Sequence, residues 1–189
     1  ANERSIVRLR EVLESLEFKK GDSALKFPLG RDVAGTPIIA DLRGMPHLLI
    51  AGSTGSGKSV GMNTFLISLL YQNSPQDLRM ILIDPKRVEL RDYNGIPHLL
   101  TPVITDPEKA STALRWCVAE MNRRCQRFSE HNKKNINDLN ADPLIDDKMS
   151  TIVVVIDELA DLMMAAGKDV EASICRLAQM SRAVGIHLV

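Results

Sequence analysis

The sequence predicts an α/β fold in which a mostly parallel sheet is covered by helices. Three observations predict it. Short apolar runs, His47–Ala51, Met80–Ile83 and Ile152–Ile156, alternate with longer stretches whose apolar residues recur at helical spacing. The first run ends on a glycine-rich loop, and the other two end on acids, Asp84 and Asp157-Glu158. The third run is β-branched throughout, as a strand buried on both faces requires.

Taken in order, the elements begin with a helix carrying Ile6, Leu9, Leu13 and Leu16 on one stripe and breaking near Gly21. Residues 1–20 thus read as a linker helix entering a domain that spans 21–189. Residues 22–46 are rich in Gly, Pro and Asp, with one β-like patch at Pro37–Ala40. After the strand at His47–Ala51 and its loop, Met62, Phe65, Leu66, Leu69 and Leu70 predict a helix with one apolar face. Beyond the strand Met80–Ile83, Asp106 reads as an N-cap and Pro107 as the first residue of a helix running to about His131. Its inward face holds Ala113, Leu114, Cys117, Val118, Met121 and Phe128. Arg123, Arg124 and Arg127 fall on the other side, as a solvated face or a nucleic-acid patch, and the periodicity favours the first. Polar residues 132–150 read as a surface excursion or flexible segment. After Ile152–Ile156, a helix from about Lys168 to Val184 stops at Gly185, a C-cap residue. Ile186–Val189 starts another strand without a polar finish, which predicts a domain truncated on its C-terminal side.

Composition narrows the function classes. The 189 residues include 24 Lys+Arg and 24 Asp+Glu, so bulk positive charge is not how this chain would hold nucleic acid. A ring gripping DNA with a few residues per subunit stays compatible with that balance. The cysteines, Cys117, Cys125 and Cys175, form no Cys-x-x-Cys pair, and the first two lie roughly 12 Å apart along one helix, too far to bridge. They read as small apolar residues of a reducing compartment. His47, His98, His131 and His187 lack ligand spacing, which argues against a structural metal. No apolar run approaches the roughly 20 residues a membrane span needs, and no signal-peptide pattern is present.

Gly52-Ser53-Thr54-Gly55-Ser56-Gly57-Lys58-Ser59 fits the phosphate-loop pattern G-x-x-x-x-G-K-[ST]. Glycines let the backbone wrap a phosphate chain with its N–H groups inward, and the next helix adds the positive end of its dipole. Lys58 would reach the terminal phosphates, the Ser59 hydroxyl would ligate Mg²⁺, and Val60 continues the nucleotide-binding stretch. A chance match in a chain of this length is on the order of one in a hundred. With a strand before and a helix after, it reads as an ATP site. Such a site also needs an acid for the metal at the end of an apolar strand. Asp84 and Asp157 both qualify, and Asp157 is preferred because Glu158 follows it. An Asp holding Mg²⁺ beside a Glu acting as general base on water is what hydrolysis requires. Asn132-Lys133-Lys134-Asn135 lacks the Asp of a guanine-reading motif, so guanine specificity has no support.

Met45–Gly61, Ile83–Leu90, Gly95–Thr101, Ala113–Met121, Val155–Met164 and Arg176–Val189 together resemble the FtsK/SpoIIIE family of bacterial DNA translocases, from about residue 30 to the end. The resemblance implies a RecA-like P-loop ATPase core that assembles as a homo-hexameric ring around double-stranded DNA and hydrolyses ATP between subunits to pump the duplex. Chromosome segregation, cell division or sporulation are the implied occasions. It implies a cytoplasmic domain, itself without membrane contact, of a protein anchored in the bacterial inner membrane. It assigns ATP and Mg²⁺ to Lys58, Ser59, Asp157 and Glu158, and offers Arg182 as an arginine finger toward the neighbouring subunit's nucleotide. As a residue, Arg182 reads equally as a helix-terminal cation favoured by the dipole. Asp84-Pro85-Lys86-Arg87 also matches the family, and reads either as an interface or pore segment or as a loop closing a strand. Residues 132–150 are shorter than in several relatives. The family's membrane-spanning segment, later motor strands and DNA-reading winged helix are absent from this stretch of sequence. The alternatives are a related ring ATPase with protein cargo, a nucleotide-binding scaffold and a small-molecule kinase. Intact Lys58, Asp157 and Glu158 argue against the scaffold, and the missing lid and acceptor signatures argue against the kinase.

Overall fold

The computed structural model describes residues 6–53 and 55–189, without the side chains of Ser181 and Arg182. The chain divides into two units, Ala1–Asn73 and Ser74–Val189.

In the first unit, two short helices, α1 (Leu9–Leu13) and α2 (Leu16–Lys19), replace the single opening helix expected from the apolar stripe. Ser15 causes the break. Its backbone is extended and its hydroxyl accepts the Phe18 N–H, which caps the second helix. The buried residues are Val12, Leu13 and Phe18, whereas Ile6 and Leu16 of the expected stripe are exposed. β1 (Lys26–Arg31) and β2 (Pro37–Asp41) form an antiparallel hairpin. β2 contains the patch seen in the sequence. β1 escapes sequence reading because Pro28 and Gly30 interrupt its alternation, and the register shifts between them. α3 (Lys58–Gln72) buries Met62, Phe65, Leu66 and Leu69, with Phe65 edge-on to Phe27 of β1 at 5.0 Å between ring centroids. The Gln72 and Asn73 amides donate to Lys26 O and Ala24 O, both at 2.7 Å, fastening the end of α3 to the hairpin.

The strand expected at His47–Ala51 is not a named strand of this fold. Strands exist only through a ladder. Among the described residues of this unit β1 and β2 pair with each other, and Leu49 is 81% exposed.

The second unit is built on a parallel sheet in the order β3 (Leu78–Ile83), β4 (Thr151–Ile156), β5 (Ile186–Leu188). Residues 98–104 extend it beyond β3 as isolated parallel bridges, Met80 to Leu99 and Ile83 to Ile104. Pro102, which has no N–H, lies between the two bridges. α4 (Pro107–Glu130) starts as the sequence predicts, with the Asp106 carboxylate accepting the Glu108 and Lys109 N–H groups at 3.0 Å. Leu114, Cys117, Met121 and Phe128 face the core. Arg124 departs from its expected solvated face and is only 3% exposed. The polar segment 132–150 lies largely at the surface, as one of the two expectations has it, and is partly ordered. It holds α5 (Ile136–Asn140), which buries Ile136 and Leu139, while the Asn140 side chain exchanges two 2.8 Å hydrogen bonds with the Met149 backbone. α6 (Leu159–Val184) begins well before the expected start at Lys168, and its helical dihedrals break at Ala166 (φ −144°, ψ 36°), beside Gly167. Leu162, Val170, Leu177 and Val184, on both sides of the break, are fully buried.

The cysteines are unpaired as expected. Burial pushes the Cys117 thiol up to about 12. Burial disfavours the thiolate, so Cys117 stays protonated and unreactive up to about pH 10. We expect iodoacetamide to label exposed Cys175 in the native protein, and Cys117 only after unfolding, at any pH below that. Native-state labelling of Cys117 at a rate matching Cys175 would contradict the packing of α4.

Candidate nucleotide site

The residues expected to form the site fall in both units. In the first, the glycine loop runs into α3 through alternating backbone signs. Gly55 has φ +79° and Gly57, at the N-cap of α3, has φ +98°. Such conformations strain any residue with a Cβ. Ser56 N–H donates to Ser53 O at 3.0 Å and closes the turn. A Cβ on Gly52 would overlap the Ser56 hydroxyl, so the loop folds tightly on itself at its first glycine. The Gly61 N–H donates to Gly57 O at 2.8 Å at the start of α3, the end of a helix whose N–H groups point outward along the axis. α3 has no acidic residue in its first turn and places Lys58 and Ser59 there. Oriented amides, a helix dipole and a lysine fit a phosphate chain. Thr54 lies outside the described residues. Ser53 and Ser56 are exposed, and so is Val60, which also lines an apolar groove of about 780 Å³ with Leu29, Leu49, Ala51 and Thr64.

In the second unit, Ile83 and Ile156 are register partners, so Asp84 and Asp157 leave adjacent parallel strands at the same level, on the sheet's carboxyl edge. The Asp157 N–H donates to Ile83 O at 3.0 Å, and the Asp84 N–H to Ile104 O at 2.8 Å. Ligands of open α/β sheets bind at this edge. Asp84 has a clear structural task. Asp84 is fully buried, and its carboxylate accepts the N–H groups of Arg87 at 2.8 Å and of Glu89 and Leu90 at 3.0 Å. It therefore organises its own loop, including Arg87 at φ +61°. Asp157 is 8% exposed and is followed by half-buried Glu158, immediately before α6. Lys86 forms an ion pair with Asp161 in the first turn of α6 at 3.3 Å, a contact no sequence pattern announces. An acid at the end of a buried strand with a glutamate beside it is the donor set a magnesium-dependent hydrolase needs. The Arg182 side chain lies outside the described residues, and its backbone belongs to the last turn of α6.

A phosphate loop opening a helix and a parallel sheet bearing acids at its carboxyl edge define a P-loop ATPase fold. Solved structures share it. The monomer form of the pCW3 conjugation coupling protein TcpA with ATPγS superimposes with a TM-score of 0.70 at 30% identity, covering 89% of this chain and 48% of that one. The cytoplasmic domain of the Thermomonospora curvata type VII secretion ATPase EccC gives 0.71 at 26% identity, covering 87% of this chain and 21% of that one. Residues 8–189 match the model of the FtsK/SpoIIIE family, and the chain belongs to that family. It is 51% identical to the DNA translocase FtsK of Haemophilus influenzae, over 98% of this chain and 40% of the relative. It is 57% identical to the DNA translocase FtsK of Campylobacter jejuni serotype O:2, over 97% of this chain and 20% of the relative. The chain thus spans well under half the length of these relatives.

The contrast between the acids is testable. Asp84→Ala strips three backbone amides of a charged acceptor, and we expect a loss on the order of 3 kcal/mol in urea unfolding. Asp157→Asn should leave the unfolding midpoint in place and lower ATP turnover about a hundredfold or more. Equal destabilisation by both, with turnover intact in the Asp157 variant, would reverse the assignment.

Proposed function

We propose that this chain is the ATP-hydrolysing core of a motor that moves double-stranded DNA, working as a homo-hexameric ring. The observation that carries this reading is similarity to proteins named DNA translocases over nearly the whole chain. The phosphate loop and the acids at the sheet edge supply matching chemistry. In this reading the backbone of Gly52–Val60, including Thr54, cradles the phosphates of ATP, and Lys58 balances the charge that develops on them. Ser59 and Asp157 hold Mg²⁺, and Glu158 accepts a proton from the attacking water. Bound Mg²⁺ would neutralise and orient phosphate oxygens. Arg182 serves the nucleotide of the neighbouring subunit as a cation supplied in trans.

Residues 21–189 are read as one ATPase domain entered through residues 1–20, and the uninterrupted family match over 8–189 supports treating them together. Among the described residues no helix is long and apolar enough to cross a membrane. Anchorage in the bacterial inner membrane, with this domain on the cytoplasmic side, would then rest on other parts of a longer protein.

A second reading keeps the fold and changes the cargo to protein. The likeness to conjugation and secretion ATPases favours it, at lower identity than the DNA translocases. The two readings separate on ATP turnover by the full-length protein with and without linear duplex DNA, using Lys58→Ala as the blank. We expect DNA to raise turnover several-fold and Lys58→Ala to abolish it. Lys58-dependent turnover indifferent to DNA would transfer the assignment to a protein cargo.

A further inference from the structure

The buried guanidinium of Arg124 has no part in the reading above. It sits on the core side of α4 at 3% exposure, between Cys117 and Phe128 in the same buried row. Its Nε donates to Glu120 Oε1 at 2.8 Å, and its Nη1 donates to the carbonyl of Val184, the last residue of α6, at 2.7 Å. Glu120 is held in turn by Arg123, whose Nε and Nη2 donate to its two oxygens at 2.7 and 2.8 Å. Burial pushes the Glu120 carboxyl up, but the hydrogen bonds from Arg123 and Arg124 outweigh it and hold it below the ordinary carboxylate range. Arg124 therefore keeps an ionised partner, although burial works against its own charge.

The junction that Arg124 grips is fixed from other sides as well. Gly185 turns the chain out of α6 at φ +67°, and a Cβ there would lie 2.8 Å from Ile136 Cδ1 of α5. The Gly185 carbonyl accepts the Ile152 N–H at 2.8 Å, which sets the start of β5 against β4. A helix end needs its last carbonyls satisfied, and water or a surface lysine does that at most helix ends. Here the acceptor is met by a planar, fully charged group taken out of water. Replacing such a buried pair with apolar residues of similar size is often neutral or stabilising. Stability alone is therefore a weak reason to keep it, whereas a fork bonded at both ends fixes direction as well as distance.

Arg182 lies two residues before Val184, in that same last turn. We propose that Arg124 is a positioning residue for ATP hydrolysis, setting through Val184 the last turn of α6 and so the placement of Arg182. The inference rests on the reading of Arg182 as the cation supplied to the neighbouring subunit. Arg124 then acts on its neighbour's nucleotide, not on the nucleotide bound by its own phosphate loop.

The test uses the full-length protein carrying Arg124→Met, which retains bulk and loses both donors. At a temperature well below its unfolding midpoint, we expect kcat to fall about a hundredfold, as an ångström-scale displacement of a reacting group would produce, with KM for ATP unchanged. Mixed assemblies provide the readout that a merely structural role would not move. Arg124→Met subunits keep an intact phosphate loop, and Lys58→Ala subunits keep an intact Arg124 and Arg182. Mixing the two should raise turnover well above the sum of the separate proteins, because intact loops then meet intact neighbours. Arg182→Ala mixed with Lys58→Ala is the reference. Recovery in the reference but not with Arg124→Met overturns the positioning role and leaves the reading of Arg182 standing. No recovery in the reference overturns that reading and the proposal with it. If Arg124→Met does not fold, Arg124→Lys and Glu120→Gln take its place in the same mixtures.

Discussion

A strand buried on both faces must be apolar throughout and bonded along both edges, and β4 meets both conditions. Ile152 through Val155 are at most 2% exposed, and the strand pairs in parallel with β3 on one side and β5 on the other. Everything in the second unit is referred to it. α4 and α6 cover the sheet with Leu114, Met121, Leu162 and Leu177, and α5 adds Ile136 and Leu139. The parallel ladder that pairs Ile156 with Ile83, continued by the Asp157 N–H bond to Ile83 O, fixes where Asp157 emerges. The chemistry proposed for the acid depends on that fixed exit.

Polar groups are arranged around this core at two levels of cost. At the carboxyl edge, Asp84 satisfies three backbone amides of a loop that includes a left-handed Arg87, so the edge beside Asp157 is held by amides bonded to a buried carboxylate. At the other end of the domain's longest helices, Arg124 and Glu120 bring charge into the interior and tie α4 to the end of α6. The surface pairs, such as Arg115 with Asp169 at 3.3 Å, are exposed on both sides and contribute little to stability. The expensive polar contacts thus lie where the proposed machinery must be aimed.

Much of this was legible in the residues, and the exceptions have identifiable causes. β3, β4 and α4 follow directly from β-branched runs, helical spacing and the Asp106-Pro107 start, because in each the local preference agrees with the tertiary environment. The opening helix is not continuous because Ser15 competes for the backbone, and periodicity carries no information about that. β1 hides behind Pro28 and Gly30. His47–Ala51 has the composition of a strand, but composition does not name a partner. For α6, the small residues Ala165, Ala166 and Gly167 blur the apolar stripe at the dihedral break, which moved the expected start to the better-patterned half. In the site, Gly52–Ser59 stands out in the sequence by its spacing, and Asp157-Glu158 by its place at the end of an apolar strand. The occupation of Asp84, the Lys86–Asp161 pair and the burial of Arg124 depend on long-range packing that no local pattern encodes.

In the proposed chemistry, the acid delivered by β4 would serve the metal of a nucleotide bound by the glycine loop. Calorimetric titration of ATPγS into the full-length protein, with and without Mg²⁺, tests it most directly, comparing the native protein with Asp157→Asn. We expect Mg²⁺ to tighten binding to the native protein by about tenfold or more, and Asp157→Asn to lose this gain while binding metal-free nucleotide normally. An undiminished Mg²⁺ gain in the variant would contradict it.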